Sequence, residues 1–251
     1  MQERTRSTVS VVIPVRNDAE VLRRCLRALA RQTVAPDEII VVDNGSSDES
    51  AAVAREHGAR VIDQPQRGIG MASATGYDAA RGEIIARLDA DSVPGHDWIE
   101  TILRAFARRP GVAAITGGGR FLDGPPRLRS LLSALYLGAY FALVSVALGH
   151  IPLFGSNMAI RRSAWLEVAA EVHRHDDLMH DDMDLAMHVG PARRIRFERG
   201  LRMEISMRPL TDPTGMRLRL KRGRHSIAAH WPRNLPPRRV LRRLVSAVRS
   251  R

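Results

Sequence analysis

A single cysteine, Cys25, stands in 251 residues, so no disulfide framework staples this chain. Aromatic residues make up only 4%, which leaves few rings on which nucleobases could stack. That scarcity weighs against nucleic-acid binding despite a net charge of +12. Acidic residues are absent from one stretch altogether. From Arg217 to Arg251 there are twelve basic residues and no Asp or Glu, leaving 27 basic against 27 acidic elsewhere. The excess charge is therefore a property of the tail. Residues 1–8 are polar and the first apolar run reads as a strand, so the opening carries no signal-peptide pattern and a cytoplasmic protein is expected.

What is present begins with that strand. Val9-Ser10-Val11-Val12-Ile13-Pro14 is rich in β-branched residues and reads as buried. A helical pattern follows, with Val21, Leu22, Cys25, Leu26 and Leu29 on one face and arginines on the other. Glu38-Ile39-Ile40-Val41-Val42-Asp43 is a second strand ending in a carboxylate. Strand, helix and strand in this spacing predict a crossover unit of an α/β sheet, and ligands bind outside the carboxyl ends of such strands. Chain length suits one α/β domain with an appended tail. Asn44-Gly45-Ser46-Ser47-Asp48 follows as a strand-to-helix loop with Ser47 or Asp48 as cap. Asp43 then has two readings: an Asx turn, or a carboxylate contacting a base or ribose.

Asp89-Ala90-Asp91 closes a third apolar run, Glu83 to Leu88. Two carboxylates two residues apart at a strand tip can share one hard cation, or can simply cap the next turn. Asp181-Asp182-Met183-Asp184-Leu185 opens a helical pattern, where acids are also favoured by the helix dipole. Like charges at Asp181 and Asp184 predict a raised pKa for Asp182. His173, His175 and His180 precede this motif, but their spacing fits no compact tetrahedral zinc site and they read as a polar loop; His225 and His230 lie downstream as further candidates for a metal shell. Gly68-Ile69-Gly70 lacks the third glycine and the leading strand of a dinucleotide fingerprint.

Taken in order, residues 11–18, 41–48 and 88–92, with Gly155 to Arg162 and Asp181 to Leu185, resemble family 2 glycosyltransferases of the GT-A fold. The resemblance spans roughly residues 8 to 210 and implies a Rossmann-like nucleotide-binding half, with a mixed central sheet between helices on both faces. It implies a domain over 1–216, divided into a nucleotide-sugar-binding half (8–115) and an acceptor and catalytic half (116–216), before a basic helical tail at 217–251. Pro14, Asn17, Asp43 and Asp89 would bind the donor, a UDP-, GDP- or dTDP-linked sugar. Asp91, with Asp89, would hold Mn²⁺ or Mg²⁺. Gly155, Asn157 and Asp181 would face a saccharide or lipid-linked acceptor, and Asp182 would be the general base of an inverting transfer. Asp181 stands where the family more often has Glu. Ala72-Ser73-Ala74-Thr75-Gly76 replaces the family's Ala-Arg-Asn pattern, so a basic residue expected near the donor is missing there. No Gln-x-x-Arg-Trp segment and no set of spanning helices is present, which argues against a processive synthase. The competing classes are a catalytically silent membrane-associated scaffold and, below it, a nucleic-acid-binding protein. Intact Asp91 and Asp182 favour the enzyme.

Two features point toward lipid. Val240, Leu241, Leu244, Val245 and Val248 share a helix face ringed by arginines, the pattern of a basic membrane-surface helix, or else of a solvated tail. Ser130 to Gly149 contains no charged residue; as a helix it is about 30 Å long. A single crossing there would separate Asp91 from Asp182, so the expectation is a helix packed beside the acceptor cleft, at the inner face of the cell membrane and dipping into an anionic surface.

Overall fold

The computed structural model describes residues 6–230. β1 (Val9–Val15) is buried along its whole length because sheet neighbours flank it and helices cover both faces. It pairs in parallel with β2 (Glu38–Asp43), which pairs with β3 (Arg60–Asp63). On its other edge it pairs in parallel with β4 (Ile84–Arg87). α1 (Ala19–Leu29) buries Leu22, Cys25, Leu26 and Leu29, the stripe expected from their spacing. Cys25 is a core residue with no exposed surface.

α2 (Ser50–Glu56) follows the 44–48 loop, and Asp48 holds both neighbouring helix starts. Its Oδ1 accepts from the Ser50 N–H at 3.0 Å, while Oδ2 accepts from the Ala19 N–H at 3.0 Å. α3 (Ile69–Ala79) lies tightly on the sheet: a Cβ at Gly76 would meet Val12 Cγ1 at 2.3 Å. Alternate residues of β1 enter two separate apolar clusters, with Val9, Val11, Ile13 and Val15 on one side and Val12 on the other.

The second half completes the sheet with opposite chain directions. After β5 (Val93–Pro94) and α4 (Trp98–Arg108), β6 (Val112–Thr116) and β8 (Met158–Arg161) run antiparallel, and β8 is also antiparallel to β4. β9 (Arg194–Phe197) adds to the outer edge of β6, giving the order β3-β2-β1-β4-β8-β6-β9. A small sheet forms from β5, β7 (Arg120–Phe121) and β10 (Met203–Ile205). The remaining helices are α5 (Arg129–Leu148), α6 (Arg162–Val168), α7 (Asp181–Val189), α8 (Arg208–Thr211) and α9 (Pro213–Ala229).

The 216/217 boundary falls inside α9. Asp212 caps that helix through the Thr214 N–H, and the helix then docks on the α7 region rather than leaving the domain. The amphipathic pattern at residues 240–248 lies outside the described residues.

α5 is the other departure from an ordinary soluble surface. Its mean hydropathy reaches 2.0, yet only 17% of its most apolar window is buried. Leu131, Leu135, Leu143 and Val146 all point outward, each more than half exposed. Its inner face carries Tyr136 against Phe121 and Phe141 against Phe197, with ring centroids 6.0 and 5.1 Å apart.

Candidate active site

Parallel strands β1, β2 and β4 deliver their carboxyl ends to one edge, so residues far apart in sequence meet there. Asp43 ends β2, and its Oδ1 accepts the N–H of Ser46, three residues on, at 3.0 Å. Pro14 is buried inside β1 opposite Val42. Asn17 takes a left-handed conformation at φ 53°. There it receives the Ser47 N–H on Oδ1 at 2.7 Å and gives its own N–H to Ser46 Oγ at 3.0 Å. Asn17 therefore ties the turn before α1 to the 44–48 loop that follows Asp43.

Beyond β4, Asp89 accepts the Ser156 hydroxyl on Oδ2 at 2.5 Å and meets Arg87 Nη2 through Oδ1 at 2.9 Å. Burial pushes the Asp91 carboxyl up to about 6, and the neighbouring Asp89 and Asp18 charges push the same way. Arg208 and Arg219 oppose that rise; Arg208 lies 3.8 Å from Asp91 and forms its closer pair with Asp18 at 2.9 Å. Asp91, beside Asp89 and with only a distant arginine, is a fit place for a divalent cation.

Arg87 is the residue that sequence reasoning missed. It is only 3% exposed, and its Nη2 also lies 3.3 Å from Asp181 Oδ2. Burial alone would lower its pKa, but Asp181 and Asp89 more than offset this and keep it charged. One guanidinium thus joins the strand-tip acids to the helix-start acids. The available signal was an arginine inside the apolar run Ile84 to Leu88. It also places a basic residue where the Ala72–Gly76 segment provides none. Ser73, from that segment, instead donates its hydroxyl to Asp181 at 2.9 Å.

Gly155 is explained by the same arginine. A Cβ there would stand 1.3 Å from Arg87 Nη1, so no side chain fits. Its N–H donates to Asp182 Oδ2 at 2.8 Å. Asn157 corrects the sequence expectation that it faces an acceptor. It is fully buried, accepts the Trp98 indole N–H at 2.8 Å, and donates to the Gly118 and Leu201 carbonyls. Every polar atom of its side chain is used in holding β8 to α4 and to the loops beyond β6 and β9.

The expected rise in the Asp182 pKa is also corrected. Burial raises it, but His180, Arg87 and the Gly155 N–H prevail, so the carboxyl lies below its usual range. His180 Nδ1 lies 2.6 Å from Asp182 Oδ1, an ion-pair contact turned away from hydrogen-bond alignment. In return, burial lowers the His180 pKa while Asp182 and Asp181 raise it further, for a net upward shift. Asp184 does not press on Asp182 as a bare like charge. It is engaged by three histidines, His173, His188 and His230.

The histidines are therefore regrouped. His173 and His180 enter different clusters, His175 approaches Gln66, and His225 pairs with Asp176 at 2.6 Å. Neither His225 nor His230 has Asp89 or Asp91 as a partner in these pairs. α5 runs alongside the acidic motif: burial raises the Tyr140 pKa well above its usual value, with Asp182 and Asp181 adding to it. An apolar cleft of about 450 Å³ lies under α5, lined by Gly118, Gly119, Leu137, Phe141, Ile151 and Phe197.

Comparison with known proteins follows this geometry. The family model described as glycosyl transferase family 2 matches residues 10–168. The glycosyltransferase AglE of Haloferax volcanii is 37% identical over 124 residues, 46% of this chain and 38% of its own length. The chain spans less than two fifths of the length of the curated relatives it matches first. The mannosyltransferase PcManGT of Pyrobaculum calidifontis, solved with GDP-Man and Mn²⁺, superposes with a TM-score of 0.65 at 20% identity. That match covers 88% of this chain and 62% of the other. Glucosyl-3-phosphoglycerate synthase of Mycobacterium tuberculosis, solved with Mn²⁺, UDP and glucosyl-3-phosphoglycerate, gives 0.54 at 21% identity over 86% and 80% of the two chains. These likenesses show the GT-A fold.

Proposed function

Because this chain belongs to glycosyl transferase family 2, we propose that it moves a sugar from a nucleotide-diphosphate donor to an acceptor hydroxyl, inverting the anomeric centre. The observation that carries the reading is the continuity of the acidic site. Asp89, just beyond β4, and Asp181, at the start of α7, share the Arg87 guanidinium, with Asp91 and Asp182 their near neighbours in the chain.

In this reading Asp43 contacts the nucleoside, while Pro14 and Asn17 hold the loop around it. Asp91, with Asp89, holds Mn²⁺ or Mg²⁺, which when bound offsets the charge that develops on the departing diphosphate. Arg208 faces the same region and adds positive charge. Asp182 takes the proton of the attacking hydroxyl. His180 and Arg87 keep it ionised, and the hydroxyl proton becomes acidic as its oxygen bonds to the anomeric carbon. Assistance of this kind contributes about 10²–10⁴-fold.

The acceptor is a saccharide or a lipid-linked molecule at an anionic membrane surface, on the cytoplasmic side. The exposed apolar face of α5 and the cleft beneath it support that choice. A helix without charge beyond Arg129 and with outward leucines gains about 25 cal/mol for each Å² of apolar surface it removes from water. α9 adds the exposed Arg217, Lys221 and Arg224, each contributing about 1 kcal/mol close to anionic lipid.

Thermal stability against UDP, GDP, dTDP and CDP, each with and without Mn²⁺ or Mg²⁺, tests the donor site. A ligand at 100 times its Kd adds about 2.7 kcal/mol. One nucleotide giving a metal-dependent shift that vanishes in Asp91→Ala is the expected result. No shift with any of them, in folded protein, favours the scaffold.

A further inference from the structure

We infer that His173, Asp184, His188 and His230 form a second cation site, of the zinc type, which fastens α9 to the catalytic helix α7. The four residues come from three places: the loop before α7, α7 itself, and the end of α9. Their ligand atoms all lie within 4.8 Å of one another. The inference does not depend on the sugar-transfer reading.

The spacing argues for a metal. His188 Nε2 lies 3.3 Å from His230 Nε2. Asp184 Oδ1 lies 3.3 Å from His188 Nε2, 3.2 Å from His230 Nε2 and 2.8 Å from His173 Nδ1. Zinc bonds nitrogen and oxygen at about 2.0–2.2 Å, so the edges of its tetrahedral donor set are about 3.3–3.5 Å. Three of these four separations already stand at or within about 0.1 Å of that edge. The rings themselves surround the point, with centroids 5.0 to 5.6 Å apart.

Proton placement argues the same way. His230 Nδ1 sits 2.8 Å from the Ser226 carbonyl, which can only accept, so Nδ1 carries the hydrogen and the neutral ring offers a lone pair at Nε2. His188 Nδ1 faces Glu171 Oε2 at 3.4 Å and is oriented alike. Outer partners of this kind fix the tautomer of metal-bound histidines. The Asp184 Oδ2 atom is held separately by the His173 N–H at 2.7 Å, which leaves Oδ1 for the cluster. Converging lone pairs and a buried carboxylate require positive charge among them: protons on the rings, or one metal ion shared by all.

Imidazole-rich donors select zinc and its borderline neighbours over Mg²⁺ or Mn²⁺, which prefer oxygen. Four protein ligands make a closed, structural site. Its effect is to fix the segment that presents His180, Asp181 and Asp182. α9 already touches that segment at Ser226, whose Oγ accepts the His180 N–H at 2.8 Å.

The test uses the untagged full chain, stripped with a chelator and loaded with Zn²⁺ in excess Mg²⁺. One zinc per chain should survive gel filtration, and X-ray absorption should show three imidazoles and an oxygen. Asp91→Ala should keep that zinc, whereas His188→Gln with His230→Gln should lose it. Should the double variant fail to fold, His173→Ala, whose side chain is 41% exposed, should still fold and bind zinc at least tenfold more weakly. Substoichiometric zinc in the parent chain, or zinc retained by both the double variant and His173→Ala, overturns the site and leaves a proton-bridged cluster.

Discussion

The two cation sites proposed for this molecule differ in almost every respect that chemistry can vary. Asp89 and Asp91 offer only oxygens from one short turn, partly open to water, with Arg87 on Asp89 and Arg208 farther off at 3.8 Å from Asp91. The second cluster offers three nitrogens and one oxygen from segments up to 57 positions apart, largely buried and internally compensated. Burial would raise the Asp184 pKa, yet the imidazoles of His188, His230 and His173 around it, with the His173 backbone N–H, hold it well below the usual range. Asp91 is pushed the opposite way. An open, oxygen-only pair suits a cation that arrives with a phosphate and leaves with it. A closed, nitrogen-rich set suits one that stays.

The sharpest way to break this contrast is at the residue between the two sites. Asp182→Asn should cost about 10²–10⁴ in kcat with nucleotide binding and zinc content unchanged, measured by initial rates and metal analysis. Loss of nucleotide binding instead would place Asp182 on the donor side.

Arg87→Met strikes the opposite bank. It leaves Asp89 and Asp181 facing each other without their shared cation, and the fold should lose about 3 kcal/mol in chemical denaturation. The figure sits at the low end for a broken buried pair because the Asp89 side chain is 34% exposed. Stability unchanged at neutral pH would mean that water already compensates both acids. Added Mg²⁺ or Mn²⁺ should recover part of the loss.

His180→Gln tests how the two neighbours Asp182 and Asp184 are kept apart electrostatically. His180 lowers the Asp182 pKa, so its removal raises that pKa. The acid limb of the kcat/KM profile, where Asp182 protonates, should therefore move to higher pH. An acid limb that stays in place would assign it to another group.

The smallest effect is expected farthest from both cations. Leu143→Glu with Val146→Glu alters side chains 72% and 76% exposed, so stability in water should stay within about 0.5 kcal/mol. Flotation with anionic vesicles should fall. Equal vesicle binding would remove α5 from the membrane argument.

Much of this was legible from the chain. Runs such as Val9 to Pro14 and Glu38 to Asp43 read as buried strands, and in a parallel pair their carboxyl ends, Asp43 among them, share one edge. The stripe of Leu22, Cys25, Leu26 and Leu29 specified α1 by spacing alone. Asn157 was misread because an amide in a motif looks the same whether it meets a ligand or three internal partners. Arg87 was passed over because a charge within an apolar run has no visible partner until the strands are paired.

Sequence by itself determined the α/β class, the order of the motifs and the acids at or just beyond the ends of β2 and β4, because these follow from local periodicity and from chain direction. Only the tertiary structure decided which charges oppose which. Arg87 reaches Asp181 across 94 positions, and His230 reaches Asp184 across 46, so neither pair has a local signature. Coulomb and coordination energies depend on distances of a few ångströms, and those distances are set by packing among segments that are remote along the chain.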